Sequence, residues 1–153
     1  MGAVVVNRQD RVPVAGARLA AAARRALAAV GRTGAAVEVA VVDDREIRRL
    51  NHAFRRVDRP TDVLAFPLEV PEAAGGLVGQ VVISAETALR QARRARVPVA
   101  LELDLLVTHG VLHLVGYDDR DPLEAELMHR RESQILGARR RPPARLMEGL
   151  TSA

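Results

Sequence analysis

The residues best suited to chemistry lie in one short stretch, His109-Gly110-Val111-Leu112-His113-Leu114-Val115-Gly116-Tyr117-Asp118-Asp119. Two imidazoles four residues apart on a helix share a face about one turn apart, so both rings can reach a single ion. Gly116 then suits the helix end, because a residue without Cβ takes the left-handed conformation that turns the chain back. The returning chain can carry Asp119 toward the same ion. Read this way, the pattern is His-x3-His-x2-Gly-x2-Asp: three ligands, with a fourth position left for water, as a catalytic zinc site requires. Paired histidines in an apolar helix are often only hydrogen-bonded core residues. The glycine and the carboxylate tip the reading toward a metal.

Gly110 narrows the chemistry. In zinc peptidases the residue after the first histidine is a glutamate acting as general base, and glycine cannot take a proton. Peptide hydrolysis is disfavoured. Phosphodiester cleavage stays open, since a metal can activate water or a 2′-hydroxyl and stabilise a phosphoryl oxygen without a neighbouring carboxylate. An iron oxygenase of the two-histidine, one-carboxylate kind would need a co-substrate pocket for which the sequence has no marker.

These residues must be positioned by elements that are readable from pattern. Val4 to Val6 suggests a short strand, and Pro13 to Val30 an Ala-rich helix stopped by Gly31 and Gly34. Val37 to Val42 is a β-branched strand. Asp43 or Asp44 caps a helix running to about Arg55, with Ile47, Leu50 and Phe54 on one face. Thr61 to Phe66 reads as a strand ended by Pro67, Val70 to Gly76 as a loop, and Leu77 to Ile83 as a further strand. Ser84 opens a helix to about Arg96, broken by Pro98, and Leu101 to Val115 is the histidine helix. Asp121-Pro122-Leu123-Glu124 starts the last helix, which ends near Leu136-Gly137. Asp121 therefore has a capping task, which makes it a weaker ligand candidate than Asp118 or Asp119. Without regular alternation of strand and helix, the fold class is α+β, a small sheet covered by about five helices.

Composition limits the alternatives. A single domain over 1–138 is expected, with an Arg/Pro-rich tail over 139–153 expected to be disordered. There is no cysteine, so thiolate sites and disulfides are excluded and histidine and carboxylate are the ligands available. No apolar run approaches the roughly 18 residues of a membrane span, and the start lacks signal-peptide features, so a cytoplasmic protein without membrane attachment is expected. All 23 basic residues are Arg, and the formal net charge is +4. Residues 45–59 hold six Arg against Glu46 and Asp58. Such a cluster can hold phosphates, although charge alone favours an ordinary solvated helix face. Aromatics make up 2% of the chain, so stacking platforms for bases are scarce and contact with RNA should rest on the phosphate backbone. Tyr117 is placed either to pack under the site or to stack on a base; His52 and His129 lie outside the motif on two other helices.

The His109 to Asp119 stretch, with Leu103-Asp104-Leu105-Leu106-Val107 ahead of it, resembles the signature of the bacterial YbeY family of rRNA maturation factors, which are metal-dependent endoribonucleases. Leu50-Asn51-His52-Ala53-Phe54-Arg55, followed by Arg59 to Pro67, resembles a second landmark of that family, and Gly79 to Ser84 a third. Together they span roughly residues 37 to 136. Three positions depart from the family pattern: Asp119 stands where a third histidine is usual, Ala65 where Ser is usual, and Gln80 where Asp is usual.

The resemblance implies about four strands, one running against the others. It implies a zinc ion, one per chain, with manganese or another divalent ion as substitute, held by His109, His113 and Asp119; Asp119 is chosen over Asp118 because it keeps the register of the family's third histidine. It makes Arg55, His109 and His113 the catalytic residues, with Arg55 supplying the cation for developing negative charge. The implied function is single-strand-specific RNA hydrolysis in rRNA maturation and ribosome quality control, with the small ribosomal subunit as setting and no role for DNA. The alternative is a non-catalytic ribosome-assembly factor in which the metal is structural. A carboxylate in place of an imidazole lowers the charge of the divalent site from +2 to +1, which should acidify bound water less and admit harder ions more readily.

Overall fold

In the computed structural model, residues 2–68 and 77–137 are described; the expected tail over 139–153 and the whole of the expected loop Val70 to Gly76 lie outside them. Strand β1 (Ala3–Asn7) is followed by α1 (Gly16–Ala29), β2 (Ala36–Val42), α2 (Asp44–Arg55), β3 (Val63–Pro67), β4 (Leu77–Ser84), α3 (Ala85–Ala95), α4 (Val99–Leu114) and α5 (Pro122–Leu136). The strands form one sheet in the order β1-β2-β4-β3. β1, β2 and β4 run parallel, and β3 pairs antiparallel with β4 at the edge. The expected α+β class is what the chain adopts, with four strands, one reversed, and five helices among the described residues.

Strand periodicity divides the core into two layers. Val37, Val39, Val41, Val63, Val81 and Ile83 face a large cluster that includes Leu19, Leu27, Leu106 and Leu112 from α1 and α4. Their neighbours Ala40, Val42, Leu64 and Val82 face a smaller cluster closed by Ile47 of α2. Alternate residues point to opposite faces, so α2 and α4 lie on opposite sides of the sheet.

Helix α4 is buried along its whole middle, from Glu102 to His113, as befits an apolar helix at the centre of a domain. It sits close on the sheet at Gly110, where a Cβ would lie 2.6 Å from Val81 Cγ1 and 3.0 Å from Val81 Cγ2. The glycine beside His109 thus has a packing reason as well as a chemical consequence: no glutamate fits there. A second anchor is Asp104, fully buried, which accepts from Arg18 Nη2 at 2.8 Å and from Arg18 Nε at 3.2 Å, tying α4 to α1. A buried carboxylate stripped of its guanidinium is strongly destabilising, so this pair fixes how the two helices meet.

Several boundaries differ from those read in the sequence. α1 begins at Gly16 rather than Pro13, with Ala15 in extended conformation and no side chain capping the start. α4 begins at Val99 rather than Leu101, because Pro98, at φ −60° and ψ 145°, takes the N-cap position itself. β3 starts at Val63 and runs through Pro67, which an edge strand tolerates. At α2, Asp43 is the cap, accepting from the Glu46 amide at 2.9 Å.

Asp44 does different work. Its carboxylate accepts from Ser84 Oγ and Thr87 Oγ1, both at 2.6 Å, and pairs with Arg90 at 2.8 Å, while its amide donates to Glu86 Oε1 at 2.8 Å. The N-termini of α2 and α3 therefore satisfy one another across the end of the sheet. Burial pushes the Asp44 carboxyl up, but the bonds from Ser84, Thr87 and Arg90 outweigh it and hold the group below its ordinary value. A carboxyl with a lowered folded pKa contributes stability above its unfolded value near 4, and that contribution is lost as pH falls through the folded value. Asp44→Asn should cost about 1–2 kcal/mol at pH 7. In chemical denaturation, the gap between parent and variant should shrink at about pH 3; an equal gap at both pH values would show that the carboxylate charge is not involved.

Candidate metal centre

The site is built at the C-terminal end of α4. Its last turn closes on Gly116, whose φ is +107°, and the Tyr117 amide reaches back to Leu112 O at 3.1 Å. The turn expected at this glycine is present, and it returns the chain past the histidines. Asp119 arrives with Oδ2 at 3.9 Å from His109 Nε2. Asp121 caps α5, accepting from the Leu123 amide at 2.8 Å, as expected.

Asp118 is occupied otherwise. One of its carboxylate oxygens accepts from the amides of Asp119 at 2.7 Å and Arg120 at 3.1 Å, and the other from Arg120 Nε at 2.6 Å. These bonds, Arg120 first, hold its carboxyl below the usual range. The pairing leaves Asp119 as the aspartate of this turn that faces His109.

A residue that sequence reading overlooked completes the surroundings. Glu132 of α5 is buried, and its Oε2 makes a short contact with His109 Nδ1 while its Oε1 lies 3.1 Å from His129 Nδ1. Burial raises the Glu132 carboxyl pKa, but the bonds to His109 and His129 outweigh it and keep the group below its ordinary value. An ionised carboxylate only accepts, so both Nδ1 atoms donate. The His129 imidazole is raised in turn, chiefly by that bond. The signal was in the sequence: the buried stripe of α5 is Met128, Glu132 and Leu136, with a charged residue between two apolar ones. His129, assigned to another helix and set apart from the motif, is linked to it through this carboxylate.

Two ring nitrogens, His109 Nε2 and His113 Nδ1, are buried without a hydrogen-bond partner. Orphaned polar atoms of this kind call for an explanation, and a metal is a standard one. Burial, followed by the charge of His109, pushes the His113 imidazole below its ordinary value, so at neutral pH it is the uncharged ring that ligation needs. The donor set of two imidazoles and a carboxylate suits zinc and other first-row divalent ions. Among the described residues no three histidine or carboxylate side chains stand already grouped around an ion position. On a tetrahedral zinc, ligand atoms lie roughly 3.3 Å apart, and the 3.9 Å between His109 and Asp119 is within reach of a side-chain rotation.

Arg55 belongs to the other layer. It is the last residue of α2, across the sheet from α4, and its Nη1 lies 3.4 Å from Asn51 Oδ1. The two layers do meet one strand: Phe54 packs edge-on against Phe66 of β3 with centroids 5.2 Å apart, and a Cβ at Gly79 would collide with both the Phe66 carbonyl and Leu114, the residue after His113. Arg55 and the histidines thus approach the same edge strand from opposite faces. In the Arg cluster, Arg48 pairs with Asp58 at 2.8 Å and Arg49 with Glu46 at 3.7 Å. His52 is exposed, and Tyr117 packs against the core.

Comparison with known proteins decides the family. The family model described as Endoribonuclease YbeY matches residues 4–139. The chain belongs to the endoribonuclease YbeY family. A relative from Anaeromyxobacter sp. (strain Fw109-5), named Endoribonuclease YbeY, is 46% identical over 132 residues, which cover 86% of this chain and 69% of its own. One from Syntrophotalea carbinolica, of the same name, is 39% identical over 136 residues, covering 86% of this chain and 91% of its own. The solution structure of TM1509 from Thermotoga maritima superposes with a TM-score of 0.58 at 26% identity, covering 96% of this chain and 98% of that one. The YbeY match takes in His109, His113, Asp119 and Arg55, and also Glu132 and His129.

Replacing Asp119 probes the departure from the usual third histidine. Asp119→His should keep metal binding, since either side chain ligates zinc, whereas Asp119→Ala should weaken it by an order of magnitude or more. Asp119→Asn should resemble Ala. Zinc titration against a competing chelator reads all three, and an Ala variant that binds as tightly as the parent would remove Asp119 from the site.

Proposed function

We propose that this chain is a metal-dependent endoribonuclease that hydrolyses single-stranded RNA in rRNA maturation, acting in the cytoplasm on the small ribosomal subunit. The observation that carries the metal is His109 Nε2: buried, without a partner, its other ring nitrogen held by Glu132, and facing the Asp119 carboxylate. The family's name carries the substrate class. His109, His113 and Asp119 would hold one zinc ion, with manganese as a substitute. When bound, such an ion activates water or a 2′-hydroxyl and offsets charge on a phosphoryl oxygen.

The chain's own groups supply the rest. His113, kept neutral by burial, offers a lone pair at neutral pH. Arg55, on the far side of the β3 edge, would meet the phosphate from the face opposite the histidines and stabilise negative charge as it develops. Gly110 withholds the general base a peptidase would need, and its tight fit against Val81 excludes one. Among the described residues no single helix is long and apolar enough to cross a membrane.

The test is cleavage of a single-stranded RNA with and without chelator, in the parent and in Arg55→Ala. The parent should cut only when metal is present. Arg55→Ala should lose about two orders of magnitude in rate, the scale of losing one charge-stabilising donor, with metal content unchanged. Unchanged cleavage would take Arg55 out of the mechanism. A metal-replete parent that binds zinc and cuts nothing would favour the non-catalytic assembly role.

A further inference from the structure

We propose that Glu132 is a positioning residue of this site: by accepting from His109 Nδ1 it fixes the ring tautomer and orientation that turn the Nε2 lone pair toward Asp119, with His129 holding the carboxylate's other oxygen. The inference rests on the reading of His109, His113 and Asp119 as metal ligands, and it adds two residues from a helix outside the motif.

The geometry is specific. Glu132 is 4% exposed, on the face of α5 that packs toward α4, and both its oxygens are used, one by each histidine. A carboxylate buried this deeply is costly unless paired and hydrogen-bonded. A simple core contact with α4 would be served better by leucine or methionine, as at Met128 and Leu136 on the same stripe. What the carboxylate does that an apolar residue cannot is dictate which nitrogen of His109 carries the proton. Free imidazole exchanges between two tautomers, and only the one with hydrogen on Nδ1 presents a lone pair at Nε2. Metal-ligating histidines are commonly oriented in this way, and loss of the orienting group typically costs 10–100-fold in metal affinity.

His129 is the outer member. It sits one turn before Glu132 on α5, half-buried, and its Nδ1 donates across that turn. It gives Glu132 a second bond so that the carboxylate cannot rotate away from His109. Loss of His129 should therefore weaken the same function less than loss of Glu132.

The experiment compares the full-length parent with Glu132→Gln and His129→Ala in two readouts: zinc affinity by chelator competition, and the nitrogen-15 shifts of the His109 ring in metal-free protein. The parent should show a single tautomer with hydrogen on Nδ1. Glu132→Gln should bind zinc 10–100-fold more weakly and show a mixture of tautomers, with the thermal transition still cooperative. His129→Ala should lose affinity several-fold in the same direction. If Glu132→Gln does not fold, the parent's tautomer and the His129→Ala affinity decide the matter. A folded Glu132→Gln with parental zinc affinity, a parent His109 ring protonated on Nε2, or a His129→Ala variant with parental affinity in a background where Glu132→Gln fails to fold would each overturn the proposal. A parent that binds no zinc, yet shows hydrogen on Nδ1, would instead overturn the functional reading and leave the Glu132 contact standing.

Discussion

The site depends on how tightly α4 is held. Gly110 lets the helix lie against Val81 with no room for even a methyl group, Asp104 bonds it to Arg18 of α1, and His109 bonds it to Glu132 of α5. Three contacts on three sides fix its rotation about its own axis. A helix turned by one residue would swing its side chains by about 100°, which would carry both imidazoles away from Asp119. The close approach at Gly110 is thus the constraint from which the direction of His109 and His113 follows, and it explains why a glycine sits next to the first histidine regardless of chemistry.

Polar groups inside this core are arranged in pairs that answer one another. Asp104 is matched by Arg18, Asp44 by Ser84, Thr87 and Arg90, and Glu132 by two histidines. Two ring nitrogens, His109 Nε2 and His113 Nδ1, have no such hydrogen-bond partner. They lie in the C-terminal half of α4, beside the turn that carries Asp119. Two buried lone-pair donors left open beside a carboxylate make the kind of place a cation fills.

Much of this was legible beforehand, and the limits were physical. The histidine spacing, the turn at Gly116 and the cap at Asp121 are local, encoded within a few residues, and they appear where the pattern put them. The four-stranded mixed sheet followed from resemblance rather than periodicity, since pairing order is not a local property. Glu132 was missed because its role depends on α5 folding back onto α4, a contact 23 residues apart in sequence; its mark was a charge in an apolar stripe. Asp118 and Asp119 are neighbours between which family register chooses, and the hydrogen bonds that occupy Asp118 and leave Asp119 facing His109 are not readable from sequence. Pro98 was read as a breaker and serves as a cap, because the same fixed φ suits both. Arg55 was assigned by family likeness, and its helix reaches the site's edge strand from the opposite layer.

Membership of the YbeY family sets the frame, and the ligand set is the claim on which the mechanism turns. It is tested most directly by X-ray absorption fine structure at the zinc edge on protein loaded with one equivalent of zinc. The account predicts two imidazole nitrogens and one carboxylate oxygen at about 2.0–2.2 Å, with a further oxygen from water, and loss of one imidazole shell in His109→Ala. A spectrum without imidazole scattering, or one unchanged by His109→Ala, would contradict it.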